Sequence, residues 1–135
     1  MPTSRATPEI EAAYLAASYR VGGKLVLRVG EPSRVLDHLL ANRGLDEWAY
    51  LTAHNPRSRQ LTQEENAARQ RELLARLAGR RLLLGHAEAP DGAWREPSVL
   101  VLGMARDEAL ALARSFEQNA FLAGRRGGVA ELVWC

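Results

Sequence analysis

Helix-like and strand-like segments alternate irregularly along this chain, and their order restricts the folds open to it. About four segments carry apolar residues at helical spacing, and about six carry short alternating or continuous apolar runs. They follow one another as helix, strand, helix, strand, helix, two strands, helix and two strands. Because the alternation is not strict, we predict an α+β (mixed α/β) domain, with a single sheet of about six mixed strands and about four helices packed on it.

Capping and turn residues set the expected bounds of these segments. Thr7 precedes Pro8 and opens the first helix, whose apolar stripe is Ile10, Ala13, Tyr14 and Ala17; Thr62 and Glu65 form a capping box at the third. We predict helices over 8–18, 32–42, 63–78 and 106–117. We predict strands over 24–29, 48–53, 81–87, 98–103, 119–123 and 129–134, the last two forming a terminal hairpin. The unbroken run Leu82-Leu83-Leu84 favours a strand that is buried on both faces.

Composition narrows the class of protein. The 135 residues fit one domain, 1–135, and the net charge of +2 with dispersed basic residues does not favour a nucleic-acid footprint. The single cysteine, Cys135, excludes an intramolecular disulfide and a cysteine-based zinc site. No apolar run reaches the roughly 18–20 residues that span a bilayer, and no signal peptide is expected, so we predict a cytoplasmic protein without a membrane partner. The dominance of Arg over Lys is typical of a GC-rich genome, and the scarcity of thermolabile residues favours a thermophile.

The segment from Thr52 to Arg59 carries the densest group of polar side chains. It follows a predicted strand and precedes a predicted helix, where loops commonly hold ligands. Asn55 and Ser58 are candidate ligand-binding residues. Arg57 and Arg59 are suited to gripping a phosphate or carboxylate, although loop arginines more often lie in solvent.

Two titratable residues are candidates for acid–base catalysis. His54 has an ordinary pKa near neutrality, which suits a general base; the alternative is a histidine that only hydrogen-bonds within the loop. Glu96 lies two residues from Trp94, and desolvation beside an aromatic ring would raise its pKa toward catalytic use. The alternative for Glu96 is an edge carboxylate paired with one of the many arginines.

Amide side chains occur where a core does not need them. Asn66 and Gln70 share a helical face with Leu73 and Leu77, so both amides should point inward. They either bond the preceding loop backbone or, in the case of Asn66, meet a ligand. Gln118-Asn119 lies between a helix and a strand, and faces a polar pocket, caps the helix or forms a surface turn.

These residues together resemble a bacterial family of unknown function, DUF3293. The matching pieces, in order, are Tyr14 with Tyr19, Thr52-Ala53-His54-Asn55-Pro56 with Ser58, Asn66, Trp94 with Glu96, and Gln118-Asn119-Ala120. The resemblance implies a small stand-alone bacterial cytoplasmic protein with no established activity, and a common pocket built from the shared polar residues. Pro97 stands where a second acid is usual, which weakens any two-acid mechanism. Glu117 stands where glycine is frequent, which argues against a tight left-handed turn before Gln118.

Our leading hypothesis is a small-ligand site at strand and helix ends. Its ligand-binding residues are Asn55, Arg57, Ser58, Asn66, Gln118 and Asn119; Arg59 is a second residue for an anion. Glu96 is the first candidate acid/base and His54 the second, for a hydrolase or transferase acting on a nucleotide-like or phosphorylated metabolite. The sequence predicts no cofactor and no metal site, since it has neither a P-loop nor a metal-ligand cluster.

Two other functions stay open at this stage. A nucleic-acid-binding module would use the following residues: Arg57, Arg59, Arg69, Arg71, Arg80 and Arg81. Acidic residues interleaved with them, Glu64 and Glu72 among them, disfavour it. An interaction or accessory protein would use the terminal hairpin as a strand edge for a homodimer or another partner.

Overall fold

A computed structural model describes residues 7–135 and confirms the α+β class. The helices are α1 (Pro8–Ala16), α2 (Arg34–Ala41), α3 (Gln63–Arg76) and α4 (Arg106–Ser115). The strands are β1 (Ser18–Val21), β2 (Leu25–Leu27), β3 (Glu47–Leu51), β4 (Arg81–Glu88), β5 (Arg95–Leu102), β6 (Ala120–Arg125) and β7 (Glu131–Trp134). Within residues 7–135, no helix has the length and apolar character needed to cross a membrane.

The strands form one sheet in the order β2-β1-β4-β5-β3-β6-β7, and each neighbouring pair is antiparallel. The sheet therefore has one strand more than expected. The additional strand is β1, which the sequence assigned partly to the first helix. That helix ends at Ala16, because Ala17 adopts an extended conformation and Tyr19 and Val21 are buried. The predicted terminal hairpin is confirmed by the pairing of β6 with β7.

Both faces of the sheet are packed. On one face, α2 covers aromatic and aliphatic side chains of the central strands, including Tyr50 and Leu100. On the other face, α3 and α4 cover Leu51, Val99 and Val101. The predicted inward face of α3 is confirmed, since the side chains at 66, 70, 73 and 77 are all buried.

The expectation that β4 is buried on both faces is wrong. Leu83 is 37% exposed and Leu84 62%. The reason lies in the register, because β1 pairs only with Gly85–Glu88 and leaves the first half of β4 as an open edge. Where β1 does pair, it approaches closely: a Cβ on Gly85 would lie 2.0 Å from the carbonyl oxygen of Arg20, so only glycine fits there.

Candidate functional site

A pocket of about 440 Å³ opens where β3 ends and where β5 and β6 begin. Its aromatic lining residues are Tyr14, Tyr19, Tyr50, Trp94 and Phe121. Its polar and acidic lining residues are Glu9, Thr52, His54, Asn55, Ser58, Gln60, Glu96, Ser98 and Gln118. Apolar side chains, Leu51 and Leu122 among them, complete the wall. The pocket thus joins parts of the chain that are far apart in sequence.

The loop between β3 and α3 has an unusual backbone. Asn55, Arg57 and Ser58 have φ angles of 47°, 54° and 59°, in the left-handed region that non-glycine residues seldom adopt. Of these residue types, asparagine tolerates this conformation best. Pro56 begins the short 3₁₀ turn Pro56–Ser58, which directly follows Asn55. Such conformations persist only where the surroundings impose them, and they cluster at functional sites.

Two amides of α3 impose the shape of this loop. Asn55 and Asn66 bond reciprocally: the backbone N–H of Asn55 donates to Asn66 Oδ1 at 2.9 Å, and Asn66 Nδ2 donates to Asn55 Oδ1 at 2.8 Å. The backbone N–H of Ala53 donates to Gln70 Oε1 at 3.0 Å. Asn66 is not part of the pocket lining. Of the two alternatives for these amides, the structure shows bonding to the loop.

The loop in turn holds the carboxyl group of Glu96. Asn55 Nδ2 donates to Glu96 Oε2 at 3.1 Å. Burial raises the pKa of Glu96, and the hydrogen bond from Asn55 opposes this shift without cancelling it. Within residues 7–135, Glu96 forms no ion pair, so it is not the arginine-paired edge carboxylate that was the alternative. Trp94 lines the same pocket, as the desolvation argument expected.

His54 is the second titratable group expected at the site, and it lies in the lining. Its backbone N–H donates to Thr52 Oγ1 at 3.1 Å, which fixes the start of the loop. Burial lowers the pKa of His54 and raises that of Glu96. The surroundings therefore favour the uncharged form of both groups.

Gln118 and Asn119 tie the start of β6 to the loop. Gln118 Nε2 donates to the carbonyl oxygen of His54 at 3.0 Å, and Asn119 Nδ2 donates to Ser58 Oγ at 2.8 Å. Their exposures are 4% and 1%, so neither lies in a surface turn. Gln118 lines the pocket and Asn119 does not.

The doubt about a left-handed turn at Glu117 is wrong. Glu117 has φ 57°, so the turn forms with glutamate in place of glycine. Its carbonyl oxygen accepts from the backbone N–H of Arg57 at 2.7 Å, and its carboxylate lies 3.6 Å from Arg69 Nη1. These contacts hold the strained residue from both sides.

The arginines proposed as anion-binding residues are not part of the pocket lining. Neither Arg57 nor Arg59 is among the lining residues, and Arg59 is exposed. Arg69 donates to the carbonyl oxygens of Ala53 and Phe116, and Arg80 pairs with Glu108 at 2.5 Å. Two of the arginines in the nucleic-acid alternative thus serve internal contacts. No group of three His, Cys, Asp or Glu side chains in the described part of the chain is placed to hold a metal ion.

The tyrosines line the pocket, although they were not among the candidate site residues predicted from the sequence. All three tyrosines of the chain line the pocket. Tyr19 Oη donates to the carbonyl oxygen of Tyr14 at 2.6 Å, and Tyr50 Oη donates to that of Arg20 at 2.8 Å. The stripe of α1 was expected to pack as core, but α1 has no buried residue and turns Ile10, Ala13 and Tyr14 to the pocket. Tyrosines in place of phenylalanines were the available signal, because a buried hydroxyl needs a partner.

The resemblance suggested by the sequence is confirmed by comparison with known proteins. A family model described as a protein of unknown function, DUF3293, matches residues 51–121, a little more than half of the chain. This range contains the loop, Asn66, Glu96 and Gln118 but not α1. No curated protein and no solved structure matches the chain. The chain belongs to the DUF3293 family.

Proposed function

We propose that the pocket binds a small molecule and that Glu96 is the acid/base of a hydrolase or transferase reaction. The observation that carries this proposal is the carboxyl group of Glu96, which lies desolvated in a pocket of about 440 Å³, held by Asn55 and without an ion-pair partner in the described part of the chain. A carboxyl group of raised pKa serves as a proton donor nearer to neutral pH than an ordinary glutamate does. A structural role would not require the second oxygen to face an open pocket.

The proposed chemistry uses both titratable groups of the lining. In its protonated form, Glu96 gives its proton to the leaving atom as the bond to the transferred group breaks. Water forms the new bond to that group and loses a proton to neutral His54, from which the proton returns to Glu96 through solvent. The net hydrolysis consumes one water; in the transferase version, an acceptor hydroxyl replaces it.

The substrate class suggested by the sequence was a nucleotide-like or phosphorylated metabolite. Within the described residues, no Arg or Lys lines the pocket, so a phosphate has no cationic partner inside it. Arg59 is exposed between Ser58 and Gln60, which line the pocket. We therefore place the phosphate of such a substrate at the mouth, beside Arg59, and the rest of the molecule inside.

A ligand screen followed by a turnover assay tests this proposal. Compounds that bind the native state raise the apparent melting temperature by mass action, so nucleosides, nucleotides and phosphorylated metabolites are compared at low salt. Compounds that stabilise the protein are then incubated with it, and products are measured. Glu96→Gln is expected to lower kcat by about a hundredfold or more, the usual contribution of a general acid.

The matched control is Glu64→Gln, which removes an exposed carboxylate from α3 outside the pocket. It should leave both melting shift and turnover unchanged. The proposal fails if no compound stabilises the protein, or if Glu96→Gln turns over a bound compound as fast as the wild type does.

A further inference from the structure

Two of the polar atoms that the pocket leaves available are hydrogen-bond acceptors on Glu96 and Gln118. Asn55 Nδ2 donates a hydrogen bond to Glu96 Oε2, and within residues 7–135 no group donates a hydrogen bond to Glu96 Oε1. Gln118 Nε2 donates to two carbonyl oxygens, of His54 and Phe116, which fixes the amide orientation and leaves its Oε1 without a donor in the same part of the chain. Among the described residues, every fully buried polar side-chain atom has a hydrogen-bond partner. Because these two oxygens have none, they are not fully buried and can accept hydrogen bonds from a ligand.

The hydroxyl groups of the lining are already engaged with the protein. Thr52 Oγ1 donates to the carbonyl oxygen of Pro97 at 2.8 Å, and Ser98 Oγ donates to that of Glu96 at 3.2 Å. Ser58 Oγ accepts from Asn119 and also hydrogen-bonds Tyr14. A ligand that brings donors therefore finds two oxygen acceptors, on Glu96 and Gln118, that no hydroxyl group of the lining occupies.

The charge and shape of the lining also favour a planar ligand that carries hydrogen-bond donors and no negative charge. Its ionisable residues in the described part of the chain are two carboxyl groups, Glu9 and Glu96, one histidine and the tyrosines. Burial raises the pKa of the tyrosine hydroxyls, so they stay uncharged. An anion would enter without a cationic partner, and a buried unpaired charge is strongly unfavourable. Tyr14, Trp94 and Phe121 provide flat aromatic surface for a planar group.

We propose that the part of the ligand entering this pocket is a planar nitrogen heterocycle or amidine, uncharged or cationic, whose N–H groups donate to the ionised carboxylate of Glu96 and to Gln118. This inference rests on the proposed ligand site and specifies what the site selects. A nucleobase with its exocyclic amine directed at Glu96 has this chemistry, and its sugar and phosphate would extend to the mouth.

Three probes of nearly identical size and shape distinguish the effect of ligand charge on affinity from the effect of ligand shape. Benzamidine is a planar cation with several N–H donors, benzamide is neutral with one donor group and one acceptor, and benzoate is an anion with acceptors only. Each is titrated at millimolar concentration while the indole N–H signal of Trp94 is followed by NMR. We expect affinity to fall from benzamidine to benzamide to benzoate, with the two ends at least about tenfold apart, as a charge-assisted hydrogen bond predicts.

The Glu96→Gln variant tests whether the carboxylate of Glu96 causes this order of affinities. The substitution should lower the affinity for benzamidine by about tenfold, change the affinity for benzamide little and leave the fold intact. Glu64→Gln should change neither affinity. Benzoate binding as tightly as benzamidine, an unchanged benzamidine affinity in Glu96→Gln, or no shift of the Trp94 signal with any probe would each overturn the inference. If a metabolite binds in the screen above but the probes give one of these results, the proposed ligand site is supported and only the proposed selectivity is wrong. If neither a metabolite nor a probe binds, both proposals are wrong.

Discussion

Replacing Asn66 with alanine tests whether α3 holds the candidate site in shape. The change removes both hydrogen bonds of the reciprocal pair with Asn55. The backbone N–H of Asn55 then has no acceptor, which costs about 1–3 kcal/mol for a buried donor. Asn55 Oδ1 keeps its bond from the backbone N–H of Leu61, so the second loss costs only about 0.5–1.5 kcal/mol. The expected loss of unfolding free energy is about 1.5–4.5 kcal/mol, toward the lower end if water enters the vacated space.

Equilibrium urea denaturation measures this loss, with an unchanged slope showing that the folded and unfolded states stay comparable. Arg71→Ala is the control, since Arg71 is exposed on the same helix, and it should change stability by less than about 0.5 kcal/mol. Asn66→Asp adds a second test: it keeps the acceptor for Asn55 N–H but turns a carboxylate oxygen toward Asn55 Oδ1. Its deficit relative to wild type should shrink at acidic pH, where the protonated acid donates again. An Asn66→Ala variant as stable as Arg71→Ala would refute the reasoning.

Three further predictions follow from particular positions. Glu117→Gly should raise the free energy of unfolding by about 0.5 kcal/mol in urea, because glycine relieves the left-handed strain at the expense of a half-exposed ion pair with Arg69; a loss of stability would contradict this. Because the folded state raises the pKa of Glu96 above 4.5, the contribution of Glu96 to stability should fall as pH rises from the unfolded value through the folded one, and then level off; the lowered pKa of His54 acts in the opposite direction and is common to both proteins. Glu96→Gln should lack this decline and be the more stable protein at neutral pH, as melting curves across pH would show; parallel pH profiles would count against it. Gly85→Ala should destabilise the protein by about 1–3 kcal/mol or more, because its Cβ would meet the Arg20 backbone, and a wild-type melting temperature would show that the close approach is wrong.

Much of the fold follows from local sequence patterns. The capping box at Thr62 and the inward face of α3 were visible because helix periodicity and end signals act over a few residues. β1 was not visible, because its short segment directly continues a helical pattern. Its strand conformation depends on pairing with β2 and with the second half of β4. The exposure of Leu84 depends on the same register, which no local pattern encodes.

Part of the pocket lining was predictable from the sequence, whereas the named residues that lie outside the lining could not be separated from it. Glu96, His54, Asn55 and Gln118 were named from residue type and position at element ends, and all four line the pocket. That Asn66 lies behind the lining depends on the direction of its side chain toward Asn55. That Arg57 is not a lining residue depends on the path of a loop that no periodicity describes.

The position of α1 has a consequence for how the pocket can evolve. The helix contributes to the pocket wall without burying any of its own residues, and it lies outside the range that matches the family. Substitutions at Ile10 or Ala13 therefore alter the wall while leaving the packed core untouched, and exposed positions change stability little. If the proposed ligand site is correct, selection can act on ligand preference through this helix independently of folding, while Glu96 and the loop from Thr52 to Arg59 stay unchanged.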